Sequence, residues 1–175
     1  MHFKNTISKY GLLSKIFHWL SAALLLIQIP LGFYLVDLDF GDERLKIEKI
    51  HVFIGLVVFY LIILRLLNNL FNPTPKNDLS KFLGQKILAK INHVLLYLAI
   101  LSITVSGILK KLFNGESLNF LFKEINIEEN FELADQFYDM HVYSNYLIII
   151  LIIIHILAVV VHKIFFNENL LKKIL

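Results

Sequence analysis

The chain has no cysteine among its 175 residues. That excludes disulfides, iron–sulfur clusters, thiolate zinc sites and the C-x-x-C-H attachment of a c-type cofactor. Charge is also scarce. Only 18% of residues are Asp, Glu, Lys or Arg, while 57% are apolar, against about 45–50% apolar in a typical soluble domain. So little polar surface cannot cover a water-exposed globule, and lipid is the solvent this composition suits. No segment of about ten residues alternates apolar and polar with period two, which argues against a membrane β-barrel. Internal repeats and low-complexity linkers are absent as well, and the length fits one domain spanning 1–175.

What is present is four apolar stretches, at about 16–36, 50–71, 91–113 and 143–166, the last with its helix starting near Tyr138. Each exceeds the roughly 18 residues a helix needs to cross a hydrocarbon core. Only helices or closed barrels satisfy every backbone polar group in lipid. The expected fold is therefore all-α, an integral membrane four-helix bundle with helices over 16–36, 50–71, 91–113 and 138–166. The first stretch follows Lys4, Lys9 and Lys15 as a leader peptide would. It is read as a retained helix, because its apolar run is long, contains Gln28 and Pro30, and ends in acidic residues with no small-x-small site.

Lysine and arginine near the helix ends set orientation. Lys4, Lys9 and Lys15, the second loop (Lys76, Lys81, Lys86, Lys90) and Lys163, Lys172 and Lys173 share one side. The opposite side carries Arg44, Lys46, Lys49, Lys110, Lys111 and Lys123, and twelve of the fourteen acidic residues. Both termini are accordingly expected in the cytoplasm. Asn72-Pro73-Thr74-Pro75 stops the second helix, since proline disfavours helix in the residue before it. Residues from Ser80 to Lys90 read as an interfacial lead-in to the third helix. In the third loop, 114–138, Phe120, Phe122, Phe131 and Phe137 stand among acids and suggest a short amphipathic segment on the outer surface.

Six of the seven histidines lie in or at the ends of these helices. Ionisable residues in a membrane are costly and face partners in the bundle interior. His141 and His155 are 14 residues apart, which puts them on one helix face and about 21 Å apart along the axis. Topology then supplies a partner for each. His18 opens helix one at the inner boundary, and His51 opens helix two at the outer boundary. The pairs expected are His51 with His141 and His18 with His155, each able to hold one haem iron between two imidazoles. His162 lies about 36 Å from the outer end of its helix against about 25 Å for His155, too deep to face His18. Gly55, one turn beyond His51, leaves room either for a flat macrocycle or for close helix packing. Arg65, 14 residues past His51, is placed to meet an inner propionate or to snorkel to lipid phosphate. His93 opens helix three without a haem partner; with His162 it forms a candidate quinone or proton site at the inner face. His2 is terminal and read as solvated.

These residues carry a resemblance to the bacterial cytochrome b561 family, related to the membrane cytochrome b subunits of hydrogenases and formate dehydrogenases. It rests on Phe17-His18-Trp19, Ile50-His51-Val52 with Gly55 and Arg65, Asn72-Pro73-Thr74-Pro75, and Asn92-His93 with Tyr97. It continues through His141, His155 and His162 to Asn167-Glu168-Asn169-Leu170-Leu171, and so covers essentially the whole chain. The resemblance implies two haems b, ligands from helices one, two and four, a bacterial inner-membrane location and electron exchange with ubiquinone or menaquinone. Some members pass electrons between periplasmic superoxide and ubiquinone, so an oxidoreductase activity of that kind is an expectation here. The strongly acidic outer loops would repel an anionic substrate unless Lys110 and Lys111 form a local basic funnel. The alternative is an anchor and electron-relay subunit for a separate dehydrogenase. Expected partners are membrane lipid, a quinone and a periplasmic-side electron donor or acceptor, with no nucleic acid. A histidine-relay channel or metal transporter is disfavoured, because polar residues are scarce between His141 and His155 and carboxylates are absent from the helix centres.

Overall fold

The computed structural model describes residues 3–6, 9–73, 75, 83–120 and 123–175. His2, Thr74, residues 76–82 (with Lys76, Lys81 and the start of the expected lead-in) and Phe122 lie outside the described residues. Four long helices run through the chain: α1 (Leu12–Asp37), α2 (Asp42–Phe71), α3 (Leu83–Phe113) and α4 (Phe131–Phe165). A short hairpin, β1 (Leu118–Phe120) and β2 (Lys123–Ile125), joins α3 to α4, and a final turn, α5 (Leu171–Ile174), closes the chain. All four long helices are long and apolar enough to cross a membrane. The end of the bundle bearing both termini is called inner below, and the end bearing the α1–α2 and α3–α4 connections outer.

Every helix extends beyond the apolar stretch that announces it. Hydropathy marks where a helix meets lipid, whereas capping marks where it begins. α4 starts seven residues before Tyr138 because Asn130 caps it, its Oδ1 accepting the Leu133 amide at 3.1 Å. Such a cap satisfies one of the orphan amides of a first turn. Asp42 and Glu43 stand in the first turn of α2 and Lys110 and Lys111 in the last turn of α3, each sign matching the helix dipole. After α3 the chain reverses at Gly115, whose φ of 78° is the left-handed conformation glycine adopts at low cost. Asn167, at φ 56°, does the same after α4. Pro30 sits inside α1, where neighbouring helices and side chains can satisfy what it frees.

The third loop departs from the expected surface segment. Strands β1 and β2 pair antiparallel with Asn119 opposite Glu124, and Phe120 packs its ring 6.3 Å from Phe59 and 6.2 Å from Tyr60 of α2. Those residues lie two turns or more beyond His51, so the hairpin folds back along α2. The two strands hydrogen-bond to each other. Phe131 and Phe137 belong to α4, and Phe137 stacks on Phe113 at 5.6 Å.

α3 packs along α4, α1 along α2, and α2 along α3, while α4 approaches α1 and α2 closely at few points. Ser102 and Ser144 share a hydrogen bond of 2.6 Å across the α3–α4 seam, where small residues allow close backbone approach. One apolar cluster sits at mid-height: Leu25, Val58, Ile62, Ala99, Ile100, Ile148 and Leu151. Ile148 is fully buried and stands seven residues from both His141 and His155, so the cluster lies about 10 Å from each. Leu25 is seven residues past His18, and Val58 seven past His51. The packed core is therefore a plug between two histidine levels. Outward-facing residues of α4 such as Ile150, Ile153 and Leu157 are about half exposed, a surface suited to lipid.

At the inner end the segment before α1 is tied down by polar contacts. Asn5 Oδ1 accepts from the Gly11 amide at 2.9 Å and the Ser14 hydroxyl at 2.7 Å, and its amide donates to the Pro73 carbonyl at 3.1 Å. The Trp19 indole donates to the Ile174 carbonyl at 3.0 Å, pinning α5 against α1. Burial pushes the Tyr10 hydroxyl above the ordinary phenol range, reinforced by Tyr97 and opposed by Arg65.

Candidate functional site: two facing histidine pairs

His51 of α2 and His141 of α4 face each other with ring centres 6.2 Å apart. His18 of α1 and His155 of α4 do the same at 6.3 Å. An imidazole nitrogen about 2.0 Å from a metal on each side, with each ring centre a further ~1.1 Å back, separates two such rings by roughly 6.2 Å. Both pairs have that spacing. Among the described residues no three histidine, cysteine or carboxylate side chains converge as metal ligands. A haem iron, which takes four donors from its porphyrin, needs only two such imidazoles from the protein.

The outer pair borders a cavity of about 360 Å³ lined by residues of all four helices, including Gln28, Gly32, Gly55 and Gly107. His141 Nδ1 lies 2.7 Å from the Ile103 carbonyl. A carbonyl only accepts, so Nδ1 carries the proton and Nε2 is the free lone pair, the arrangement of a metal-binding histidine. The His51 Nδ1 is buried without a hydrogen-bond partner, as is Gln28 Oε1. Unpaired buried polar atoms are uncommon and costly, and these two mark the site as built for an occupant.

Two glycines that sequence reasoning passed over crowd the outer imidazoles. A Cβ on Gly107 would lie 2.9 Å from His141 Cε1, and one on Gly32 3.2 Å from His51 Cε1. Gly55, the glycine singled out from the sequence, instead faces the Gln28 amide at 3.3 Å, and that amide donates to the His51 carbonyl at 2.8 Å. Gly55 also lines the cavity, so both of its readings stand. Lys111, half of the expected basic funnel, is bound to Glu48 at 2.6 Å and Glu116 at 2.5 Å; Lys110 lines the cavity.

The inner pair has richer surroundings. Arg65 makes its contacts within the bundle. Its guanidinium contacts His18 Nδ1 at 2.8 Å, donates to the Ser21 hydroxyl at 3.0 Å, and lies 5.4 Å from the Tyr97 ring centre. Ser21 is buried and donates back to the Phe17 and His18 carbonyls. A buried cation in a membrane protein turns inward to such partners. His93 does not open its helix. It stands ten residues into α3, with its ring centre 5.3 Å from that of His155. His162 goes elsewhere, its Nδ1 3.0 Å from Glu168 Oε2 and its ring 5.3 Å from Phe166. Among the described residues His93 and His162 share neither a hydrogen bond nor a ring contact.

Four helices long and apolar enough to cross a membrane, with two pairs of facing histidines between them, define a class: a multi-pass membrane protein with imidazoles gathered inside its bundle. The chain matches the family described as prokaryotic cytochrome b561 over residues 9–175, and it belongs to that family. It is also similar to "Cytochrome b561 homolog 2" of Escherichia coli (strain K12), with 26% identity over 180 residues covering 100% of this chain and 95% of that protein. It is thus a membrane b-type cytochrome of electron transfer, a multi-pass protein of the bacterial inner membrane that binds b-type haem.

Proposed function

We propose that the chain is a dihaem cytochrome carrying electrons across the inner membrane between a periplasmic-side redox partner and the quinone pool. The observation that carries this reading is the pair of facing imidazoles at each of two depths, both at the separation one shared iron requires. His51 and His141 are the axial ligands of the outer haem, and His18 and His155 those of the inner one. Both termini lie in the cytoplasm, as the lysine distribution favours.

Haem b, when bound, supplies a one-electron iron couple at each level. The protein does the rest. The Ile103 carbonyl fixes the His141 tautomer and aims its Nε2. The apolar plug around Ile148 excludes water between the two levels, so charge crosses it as electrons and not as ions. Arg65 supplies the cation that balances carboxylates at the edge of the inner cofactor. At the inner boundary His162 and Glu168 form a hydrogen-bonded pair able to hand a proton to a ubiquinone or menaquinone headgroup taking electrons there. At the outer face, neutralisation of Lys111 by two carboxylates leaves Lys110 as the cation lining the cavity, the side chain that would draw in an anionic donor such as superoxide.

The test is purification from haem-replete cells in mild detergent, followed by haem extraction and a reduced-minus-oxidised spectrum. Two haems b per chain, both reducible by a quinol, are expected. A stoichiometry of one would sink the two-haem reading.

A further inference from the structure

The two α4 histidines are backed by the same neighbour. Helix α3 runs along α4, and where His141 passes it, α3 presents the Ile103 carbonyl to Nδ1 at 2.7 Å. Where His155 passes α3, the group presented is the imidazole of His93, ring centres 5.3 Å apart and planes tilted by 57°. That separation is too short for a shared metal, which needs roughly 6.2 Å between ring centres. It suits a direct nitrogen-to-nitrogen hydrogen bond, where about 2.9 Å between heavy atoms and ~1.1 Å from each nitrogen to its ring centre give roughly 5.1 Å. Among the described residues the His155 ring accepts and donates no hydrogen bond, and of the two imidazoles beside it His93 is the nearer. The polar groups of α2 at this level are engaged elsewhere: the Asn69 amide donates to the Tyr97 hydroxyl at 2.7 Å, and the Arg65 guanidinium contacts His18 and Ser21.

A histidine that ligates through Nε2 needs an acceptor for its Nδ1–H, and that acceptor fixes its ring orientation and basicity. We infer that His93 is the positioning residue of the inner site, its imidazole accepting the Nδ1–H of His155 as the Ile103 carbonyl accepts that of His141. The inference rests on His155 being an inner-haem ligand. It adds that the two haems differ in what stands behind their α4 ligand: a backbone carbonyl that no substitution removes, and a side chain that one does.

Removing the acceptor makes His155 a weaker donor to iron, which disfavours the ferric state. His93→Leu is therefore expected to keep two haems per chain and to shift the inner midpoint potential upward, with the outer haem unmoved. His93→Gln, which restores a carbonyl oxygen acceptor, is expected to return the inner potential towards the native value. His155→Ala is the control for the underlying ligand assignment: if it retains both haems, that assignment fails whatever His93 does. If His155→Ala loses one haem while His93→Leu leaves the inner potential unchanged, the ligand reading stands and the inference falls. Loss of a haem in both His93 variants, with His18→Ala retaining two, makes His93 a ligand and overturns it too. The unsubstituted holoprotein gives an independent measurement. In its ferrous, diamagnetic state with 15N-labelled histidine, a nitrogen–nitrogen coupling across the bond joins His155 Nδ1 to His93. Absence of that coupling, with the coupling partners assigned, would overturn the inference without any variant.

Discussion

The His141 imidazole donates its Nδ1 proton to the Ile103 carbonyl at 2.7 Å, and this one bond decides which nitrogen faces His51 across 6.2 Å. A single ring tautomer is thereby set by the backbone of a different helix. The first prediction concerns the pairs themselves. His51→Ala or His141→Ala is expected to halve the haem-to-protein ratio by removing the outer haem, leaving the inner spectrum and potential intact. His18→Ala or His155→Ala is expected to do the reverse. Redox titration monitored in the α-band distinguishes the two. Loss of haem on changing His162 with His155 variants unaffected would reassign the inner site.

The glycines against those rings give a second prediction. Gly107→Ala puts a methyl group 2.9 Å from His141 Cε1, on a ring already held by Ile103. The imidazole must move, with an overpacking cost of about 1–3 kcal/mol, and outer-haem occupancy is expected to fall. Gly55→Ala meets only the far end of Gln28 at 3.3 Å, a flexible side chain that can yield, and is expected to load both haems normally. Haem content per chain, compared between the two variants, checks the contrast. Equal loss in both would mean that ring crowding is not what Gly107 relieves.

Those glycines also mark the boundary of what could be read from the sequence. The histidine pairing was legible because spacing along one helix fixes face and depth, and chain direction then fixes which ends meet. Gly107 and Gly32 were not legible, because their contacts run between helices whose rotation about their own axes hydropathy leaves open. Gly55 was picked out for its position on the His51 helix, yet its neighbour is Gln28 of α1. His93 was misplaced by a related confusion. The edge of an apolar run is not the start of a helix, and His93, at that edge, stands ten residues inside α3. For α4 the correcting signal was available in Asn130 followed by Glu132, a cap and an acidic first turn preceding the apolar stretch. The hairpin at 118–125 left almost no trace, since two three-residue strands are too short to display a period.

Lys111 carries the third prediction. Its ammonium bridges Glu48 of α2 and Glu116 beyond α3, closing the outer end of the bundle beside the cavity. Lys111→Met leaves two carboxylates without their cation, one of them on a partly buried side chain. The expected loss of stability is roughly 1–3 kcal/mol, read as a lower unfolding temperature in detergent. Combining it with Glu48→Gln should recover part of the loss, because the stranded charge is then gone. Purely additive losses in the double variant would mean that the bridge is not the source.

Orientation supplies a fourth. If the lysine distribution sets topology, a reporter active only in the periplasm is expected to be silent when fused after Leu175 and active when inserted between Leu38 and Gly41. Moving the balance, by changing Lys163, Lys172 and Lys173 to Gln, should weaken that preference without altering haem binding. An active reporter at the C-terminus of the unmodified chain would invert the inner and outer labels and with them the side on which the quinone reacts.

Arg65 is where the fold and the cofactor compete for the same group. Its guanidinium donates to His18 Nδ1 at 2.8 Å, which forces the proton of that ring onto Nε2, the nitrogen an iron would take. Ligation through Nε2 moves the proton to Nδ1 and turns this contact from attraction to donor against donor. Arg65 must then give up His18, keeping Ser21, and the carboxylates at a haem edge are the acceptors that suit a guanidinium released within the bundle. Arg65→Leu removes both the competitor and the cation. If releasing His18 mattered more, haem would bind better. Because an unpaired carboxylate in this setting costs more than one neutral hydrogen bond, weaker binding is expected instead. The loss of a charge-assisted bond of about 1.5–3 kcal/mol corresponds to roughly ten- to hundredfold in affinity for the inner haem. Arg65→Lys, with the charge but without the planar fork, should fall between. Haem titration of the apoprotein, fitted for two sites, measures both constants. Tighter inner binding in Arg65→Leu would mean that the arginine serves the empty fold and not the loaded one.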